Sequence, residues 1–321
     1  MDTKFFVHSK LEGTFNYIKS VKEHKETDTT TTDRTKIIRR IYLAPEVGIG
    51  FGKVRNVTPV IRAIRLNERY NYVSNGSFSN REVLNAAEQF TRIQGYNQKY
   101  DRNSKHFWSD MNGNLSNKLD ALNAYDLFYL QDVLDENLGS RYEGYEVLLS
   151  GRYRYSNKLD RFEPNGAVDQ RVLDLDRSVT VDASFDWYKN LSLNHQLNVS
   201  AANRLTFPLE GDNTLDRLLS SKLSFRWLWN AGDRYIISTG LSNSLEKFYY
   251  SNIVGNMDHR SYFNTTLSSS LTYFIENSVA ISGGLNLRYG YRNTEPEDTT
   301  FRSWNWGIQA GIKYYFDRDL F

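Results

Sequence analysis

From residue 142 onward, apolar and polar residues alternate in segments of about ten residues, each followed by a turn. In YEVLLSGRYRY, residues 145–155, Tyr145, Val147 and Leu149 share one side of the chain. Successive side chains of a strand point to opposite faces, so each segment predicts a strand with one apolar and one polar face. The other segments with this pattern are SVTVDASFDW, QLNVSAANRLTF, LLSSKLSFRWLW, YIISTGLSNSL, YFNTTLSSSLTYF, SVAISGGLNLRYGY and SWNWGIQAGIKYYF.

Two further strands are predicted near the start of the chain, in SKLEGTFNYIKSV and TKIIRRIYLAPEVGIGFG. The connections between strands then alternate in length. Long ones are predicted at 22–35, 156–176, 208–217, 246–261 and 292–302, and short ones at 188–194, 230–233 and 276–278. Short turns at one rim and long loops at the other are typical of a transmembrane barrel.

The aromatic residues also divide between the two rims. Those singled out at the short-turn rim are Trp187, Trp227, Trp229, Tyr235 and Phe316, and those at the long-loop rim are Tyr289, Tyr291, Trp304 and Trp306. Ordinary strand propensity explains why tyrosine and tryptophan are abundant. It does not explain two bands with aliphatic residues between them, whereas amphipathic rings at two membrane interfaces do.

The polar face carries many charges: Glu146, Arg152, Arg154, Asp182, Asp186, Arg204, Arg226, Arg288 and Lys313. A barrel of about ten strands is narrow, and buried charges need partners. We expect these side chains to pair across the lumen and to close it. A narrow path that prefers anions is the alternative.

Residues 53–141 interrupt the strand pattern and predict a helical insert between strands two and three. Thr58 followed by Pro59 predicts a helix start in VTPVIRAIRLNERY. Ser79 and Glu82 have the spacing of a capping box, with Gly95 as the predicted stop of that second helix. A third helix is predicted in SNKLDALNAYDLFYLQDVLDENLG and a shorter one near SKHFWSDM.

An even number of strands places both chain ends, and the end of strand two, at the short-turn rim. The insert therefore leaves from that rim. Gly48, Gly50 and Gly52 fall on the polar face just before it and leave space inside the wall. We expect the first helix, with Arg62, Arg65 and Arg69, to pack into or across the opening. The alternative is that the glycines only permit curvature.

Composition narrows the chemistry. The 321 residues include no cysteine, which excludes disulfides, thiolate metal sites and cysteine nucleophiles. The net charge is +2, and residues of both signs are interspersed, so the sequence shows no basic patch that would bind nucleic acid. The first residues, MDTKFFVHSK, lack the apolar core of a secretory signal. The histidines have no metal-ligand spacing, so no metal and no cofactor is predicted.

With these strands, the chain resembles bacterial outer-membrane β-barrel proteins. Its ending, AGIKYYFDRDLF, is similar to the aromatic-terminated last strand that the barrel-insertion machinery recognises, although DRDLF follows Phe316. The resemblance implies an all-β transmembrane antiparallel up-and-down barrel of about ten strands, or about twelve. Residues 1–52 would form strands one and two, residues 53–141 a periplasmic helical insert, and residues 142–321 the remaining strands.

The expected function is a membrane anchor or docking component in the bacterial outer membrane, with long loops extracellular. Its partners would be outer-membrane lipid and a protein bound at the insert or the surface loops. A narrow channel or export pore gated by the insert is the second hypothesis. The third hypothesis is an outer-membrane hydrolase that uses Asp258 and His259. Since it ranks last, we expect the chain not to be an enzyme.

Overall fold

The strands form one antiparallel sheet in which every strand pairs with its sequence neighbours. The computed structural model describes residues 4–27, 30–134, 136, 138–164, 170–210, 215–231, 234–250, 259–276, 279–294 and 299–314. Ten strands lie in these residues: β1 (Phe5–Thr27), β2 (Thr30–Asn56), β3 (Tyr142–Pro164), β4 (Gln170–Asn190), β5 (His195–Glu210), β6 (Leu215–Ala231), β7 (Tyr235–Tyr250), β8 (His259–Glu276), β9 (Val279–Thr294) and β10 (Thr299–Tyr314). The predicted all-β up-and-down order, with helices after β2, is confirmed.

The pairing register aligns the strands so that one continuous face of the sheet runs across all ten of them. Even-numbered residues pair with even-numbered residues from β1 to β9 over most of each ladder, as in Gly48↔Ser150 and Asp182↔Arg204, and they face odd-numbered residues on β10. We call this side the polar face and the other side the apolar face. Strands β1 and β10 are the two edges of the sheet, and in the described residues they do not pair with each other.

The predicted long loops are largely strand. Pairing of β1 with β2 continues to Thr27↔Thr30, so only residues 28–29 separate these strands where a loop over 22–35 was expected. Likewise β3 and β4 pair from Gly144↔Tyr188 to Phe162↔Gln170. These predictions were wrong because the backbone hydrogen bonds of a hairpin need no apolar face, so a strand can continue where apolar alternation in the sequence has ended.

The described residues of the insert form five α-helices: α1 (Thr58–Ser74), α2 (Asn80–Thr91), α3 (Ile93–Lys99), α4 (Asn103–Asn114) and α5 (Ala124–Gln131), with a 3-10 turn at Lys118–Ala121. The capping box of Ser79 and Glu82 is confirmed. Two details were wrong. Val57, not Thr58, is the N-cap of α1, and Gly95 lies inside α3 instead of ending α2.

The insert has an apolar core of its own, which explains how it folds outside the sheet. Its largest fully buried apolar side chains come from α1, α4, α5 and the segments beside them: Leu66, Phe107, Met111, Leu115, Leu130 and Val133. Burial of a large apolar side chain contributes about 2 kcal/mol relative to exposure. None of the helices among the described residues is long and apolar enough to cross a membrane.

Candidate functional site: the junction, the polar face and an aromatic patch

The insert is fastened to the strand ends by polar contacts at both of its connections. The Val57 N–H donates to the Arg141 carbonyl at 2.8 Å, and the Arg141 N–H donates to Thr58 Oγ1 at 2.8 Å. Thr58 therefore joins the two connections instead of capping α1. The Tyr142 N–H donates to Gln196 Oε1 at 2.8 Å, which extends the junction to β5. The base of the insert is thus fixed where β2 ends and β3 begins.

Arg141 is the most completely buried large side chain of this junction, with no exposed surface. Its guanidinium donates to the Leu138 carbonyl at 3.3 Å, to the Leu193 carbonyl at 3.2 Å and to Asn230 Oδ1. Burial, with a smaller effect of the nearby Arg65 charge, lowers the pKa of Arg141 to about 10. Leu193 lies in the turn between β4 and β5, and Asn230 lies at the end of β6. The arginine therefore connects the insert to three strands away from β2.

A second contact comes from α1. Arg65 Nη2 donates to Asn194 Oδ1 in the β4–β5 turn at 2.5 Å, and Arg65 Nη1 donates to Glu136 Oε2 at 2.8 Å. Arg69 Nη2 donates to the other oxygen of Glu136 at 2.5 Å. Glu136 thus holds two buried arginines of α1. The insert lies at the short-turn end of the sheet, the rim from which it was expected to leave.

The predicted entry of the α1 arginines into space beside the glycines is not what the structure shows. The Phe6 ring covers Gly50, and an added Cβ there would lie 2.1 Å from the ring. At Gly48 and Gly52 an added Cβ would meet the backbone of β3, at 2.7 and 2.3 Å. Arg65 and Arg69 are held by Glu136, while Arg62 lines a surface cavity of about 600 Å³ with Thr58 and Gln94. Gly48 and Gly52 serve the close approach of β2 and β3, a role that differs from both the expected helix entry and the alternative of curvature.

Among the ion pairs on the polar face of the described strands, three join an arginine to a carboxylate of an adjacent strand. Arg152 Nε donates to Glu46 Oε2 at 2.8 Å, and Arg204 Nε donates to Asp182 Oδ1 at 2.5 Å. Arg154 Nη2 donates to Asp176 Oδ2 at 2.5 Å. The expected pairing across a lumen is therefore replaced, for these residues, by pairing along the sheet. Cross-strand neighbours are about 5 Å apart and meet without spanning an opening.

Glu46 is a buried acceptor that sequence reasoning missed. It receives hydrogen bonds from Arg152 and from Ser150 Oγ at 2.9 Å, and His8 Nε2 lies 3.6 Å from it. The signal was available, since Glu46 shares the register of Gly48 and Gly50 on the polar face. Its partner Arg152 lies on another strand, so the strand pattern alone does not show that Glu46 is paired.

The other predicted polar-face charges lie apart from these pairs. Asp186 stands opposite Glu146 on β3 and opposite Ser200 on β5, and Arg288 Nη2 donates to Asn264 Oδ1 at 3.3 Å. Arg226 stands opposite Asn198, and Lys313 opposite Ala280. They are spread over β3 to β10 and form no single cluster.

The polar face changes character along the sheet. On β7 to β10 it consists largely of small or neutral residues: Ser238, Gly240, Ser242, Thr266, Ser268, Ser270, Ser282, Gly284, Asn286, Asn305, Gly307 and Gln309. A cavity of about 240 Å³ lies there against Ser268, Gly284 and Gln309. Charged side chains are fewer on this half than on β2 to β5, and they include Glu246, Arg288 and Lys313.

The predicted interface aromatics lie on the apolar face in two rows. Near the short turns, Trp227 and Trp229 flank the His195 ring, with centroids 5.7 and 5.6 Å away, and Tyr235 stacks on Tyr273 at 4.7 Å. In the same row, Trp187 stands opposite Tyr145. Toward the other end, Trp304 packs on Tyr289 at 4.7 Å, with Tyr291 and Trp306 on the same ladder. Phe316 and Asp258 lie outside the described residues, and His259 begins β8.

An exposed aromatic cluster on the insert was not singled out from the sequence. Tyr72 of α1 and Tyr125, Phe128 and Tyr129 of α5 form it, and we call it the aromatic patch. The Tyr72 and Tyr129 rings are 6.2 Å apart. The signal lies in AYDLFYLQ, where aromatics at helical spacing occupy one side of α5 while Leu130 is buried on the other.

Comparisons with known proteins give distant likenesses in structure. No protein-family model and no curated protein matches the chain. OmpT, an outer membrane protein of Vibrio cholerae in its in-vitro folded form, is 8% identical and has a TM-score of 0.31, covering 97% of this chain and 98% of that one. The beta domain of the Bordetella autotransporter BrkA is 8% identical with a TM-score of 0.27, covering 98% and 92%. Ail, the attachment invasion locus protein of Yersinia pestis, is 15% identical with a TM-score of 0.19, covering 54% and 98%.

The chain is thus similar to bacterial outer-membrane β-barrel proteins, as the strand pattern predicted. At TM-scores of 0.31 and below, this likeness carries no argument about the chain's role. The class has to rest on the chain's own strands, faces and aromatic rows.

Proposed function

We propose that the chain is a bacterial outer-membrane β-barrel that acts as a membrane anchor, with the helical insert as a docking platform for a partner protein. The observation that carries the proposal is the register, which keeps one apolar face from β1 to β10 with an aromatic row near each end. A face of this kind suits lipid, with the rings at the two headgroup levels. This role requires no catalysis, and we assign none.

Closure of the sheet follows from the same environment. The edges β1 and β10 each carry a row of backbone groups without a ladder partner among the described residues. In hydrocarbon each unsatisfied group costs several kcal/mol, so strands cross a bilayer only as closed barrels. Pairing of β1 with β10 satisfies both edges at once. The lipid-facing side is then the apolar face and the lumen the polar one.

The insert belongs on the periplasmic side in this proposal. It is fastened at Asn194 and Asn230, beside the short connections, and barrels of this class have short turns in the periplasm. A rigid attachment through buried hydrogen bonds suits a platform better than a mobile gate.

Protease accessibility in cells tests the placement. The chain is expressed in a Gram-negative host behind a cleavable secretory signal peptide, and trypsin is added to intact and to outer-membrane-permeabilised cells. We expect the chain in the outer-membrane fraction, with the insert cleaved only after permeabilisation. Cleavage of the insert in intact cells would reverse the orientation, and recovery in the soluble fraction would end the proposal.

A pore is the second candidate, because the small neutral residues on the polar face of β7 to β10 leave room beside the charged half. Planar-bilayer conductance separates the two roles. A plain anchor gives no stable current, with or without the insert. Large, stable currents after replacement of residues 58–139 by a short Gly-Ser linker would favour a pore that the insert closes.

A further inference from the structure

The aromatic patch presents large apolar side chains on a rigid base. Tyr72 is 81% exposed, Tyr125 85% and Phe128 67%, which is unusual for residues beside a well-packed core. The Arg69 guanidinium lies 4.8 Å from the Tyr129 ring centroid and donates to the Tyr129 carbonyl at 2.5 Å. Since Glu136 fixes Arg69 in turn, the Tyr129 end of the patch is held from beneath.

The surroundings of the patch are acidic. Glu68 precedes Tyr72 by one helical turn and Asp132 follows Phe128 by one turn, so both lie along the edge of the patch. Both residues are exposed, and neither carboxylate has an ion-pair partner among the described residues. The segment from 119 to 134 contains Asp120, Asp126 and Asp132 and no lysine or arginine, and Arg69 next to Tyr129 is paired with Glu136.

Exposed tyrosine faces beside unpaired carboxylates match one side-chain chemistry best. An arginine guanidinium stacks on an aromatic ring and binds a carboxylate through two parallel hydrogen bonds. Lysine offers a point charge without the planar stacking surface. Rigid aromatic residues are also the side chains that most often dominate binding energy at protein interfaces.

We propose that the aromatic patch is the docking surface for an arginine-bearing segment of a partner protein. This inference rests on the proposed function, because it names the partner chemistry of the docking platform. Arginine side chains of the partner stack on Tyr72, Tyr125 and Phe128, while Glu68 and Asp132 pair with their charges. A glycan or an anionic lipid surface would use the rings without needing the carboxylates.

The test uses the full chain in lipid nanodiscs and a fluorescent Gly-Ser peptide with three arginines. A matched peptide replaces each arginine by citrulline, which keeps the shape and removes the charge. Fluorescence anisotropy is expected to detect the arginine peptide and to show binding of the citrulline peptide at least about tenfold weaker. Equal binding of the two peptides overturns the proposal.

Variants then locate the site. We expect Tyr72→Ala combined with Tyr125→Ala, and separately Glu68→Gln combined with Asp132→Asn, to weaken binding about tenfold each. Leu84→Ala and Glu88→Gln, two exposed positions on α2 away from the patch, serve as controls and leave binding unchanged. Binding that survives both double variants places the peptide elsewhere and refutes the patch.

Two further probes separate the other occupants. Chitotetraose and vesicles of anionic phospholipid are titrated against the same variants. If either binds through Tyr72 and Tyr125 while the arginine peptide does not, the occupant is a glycan or lipid and the proposal is wrong. Insertion into bilayers is scored separately, so failure of the anchor role and failure of the patch are distinguishable.

Photocrosslinking locates the peptide directly. A benzophenone group on the bound peptide must crosslink to α5, which carries three of the four rings of the aromatic patch.

Discussion

Two glycines let β2 and β3 approach closely where the insert begins. Gly52 has φ +110°, and an added Cβ would lie 2.3 Å from the Tyr145 carbonyl oxygen. Gly144 has φ +117°, and an added Cβ would lie 2.2 Å from the Lys53 carbonyl oxygen. These positions exclude other residues for both conformational and steric reasons.

Gly52→Ala should therefore destabilise the folded chain. Backbone strain of this kind costs about 1–3 kcal/mol before any clash is counted. Urea unfolding in lipid vesicles measures the loss. Gly151→Ala on β3 is the matched control, because an added Cβ there meets nothing within 4 Å. Equal stability of the two variants would refute the close approach.

Glu82 makes the stability of the insert depend on pH. Its carboxylate accepts from Lys118 Nζ at 2.8 Å and from the Ser79 N–H at 2.7 Å, and these contacts lower the pKa of Glu82 from 4.5 to about 2. The stabilisation is fully present above pH 4.5 and is lost as the pH falls through about 2.

We expect acidification over that window to destabilise the insert by up to about 3 kcal/mol. Glu82→Gln should be less stable at pH 7 and should change less on acidification. Urea-dependent proteolysis of the insert, followed at several pH values, reads the difference. Glu88→Gln, at an exposed site, should follow the parent chain. A parallel pH dependence in Glu82→Gln would contradict the assignment.

At this scale the sequence predicts what is local. The capping box needs only residues 79–82, so its spacing was sufficient. The role of Thr58 depends on Arg141, which lies 83 positions away in the chain. Likewise, the burial of Glu46 is compensated by a hydrogen bond from Arg152 on another strand. Such contacts follow from the register and not from neighbouring letters.

At the scale of the elements, the attachment of helix α1 depends on the carboxylate of Glu136. Glu136 joins Arg65 and Arg69, and all three side chains are nearly buried. Removal of one partner from a buried ion network leaves uncompensated charge and costs about 3–5 kcal/mol.

Glu136→Gln should therefore loosen the insert and expose residues 132–141 to protease at lower urea concentrations. Digestion followed by mass spectrometry identifies the cleavage sites. Glu88→Gln is again the control, because its pair with Arg92 is exposed and worth less than about 1 kcal/mol. Unchanged protection of that segment would mean that other contacts hold α1.

Strand existence was predictable, whereas strand length was not. Where one face is apolar, the period of two is visible in the sequence, and β3 begins at Tyr142 as its pattern indicated. Toward the far ends of β3 and β4 polar residues occur on both faces, as in Lys158↔Asp174 on the polar face and Arg161↔Arg171 on the other. Alternation then gives no signal, although the ladder continues.

For the whole molecule, the meander and its faces came from the sequence, but closure depends on two edges that are far apart in the chain. No local pattern reports whether β1 meets β10. A bilayer decides it, because hydrocarbon leaves the edge groups no water to bind.

Disulfide trapping measures closure directly, since the chain has no cysteine to interfere. Leu11→Cys on β1 is combined in turn with Trp306→Cys, Ile308→Cys, Ala310→Cys and Ile312→Cys on β10, all on the apolar face. A disulfide needs Cα atoms within about 7 Å, so one register should give a sharp maximum of intramolecular crosslinking. It should appear only after insertion into vesicles.

The control pairs Leu11→Cys with Leu223→Cys on β6, which lies across the closed barrel and should not crosslink. Crosslinks between molecules instead of within one would show that the two edges pair with a second copy. Absence of any maximum in inserted protein would refute closure by β1 and β10. A maximum fixes the register, and with it the width available beside the small residues of β7 to β10.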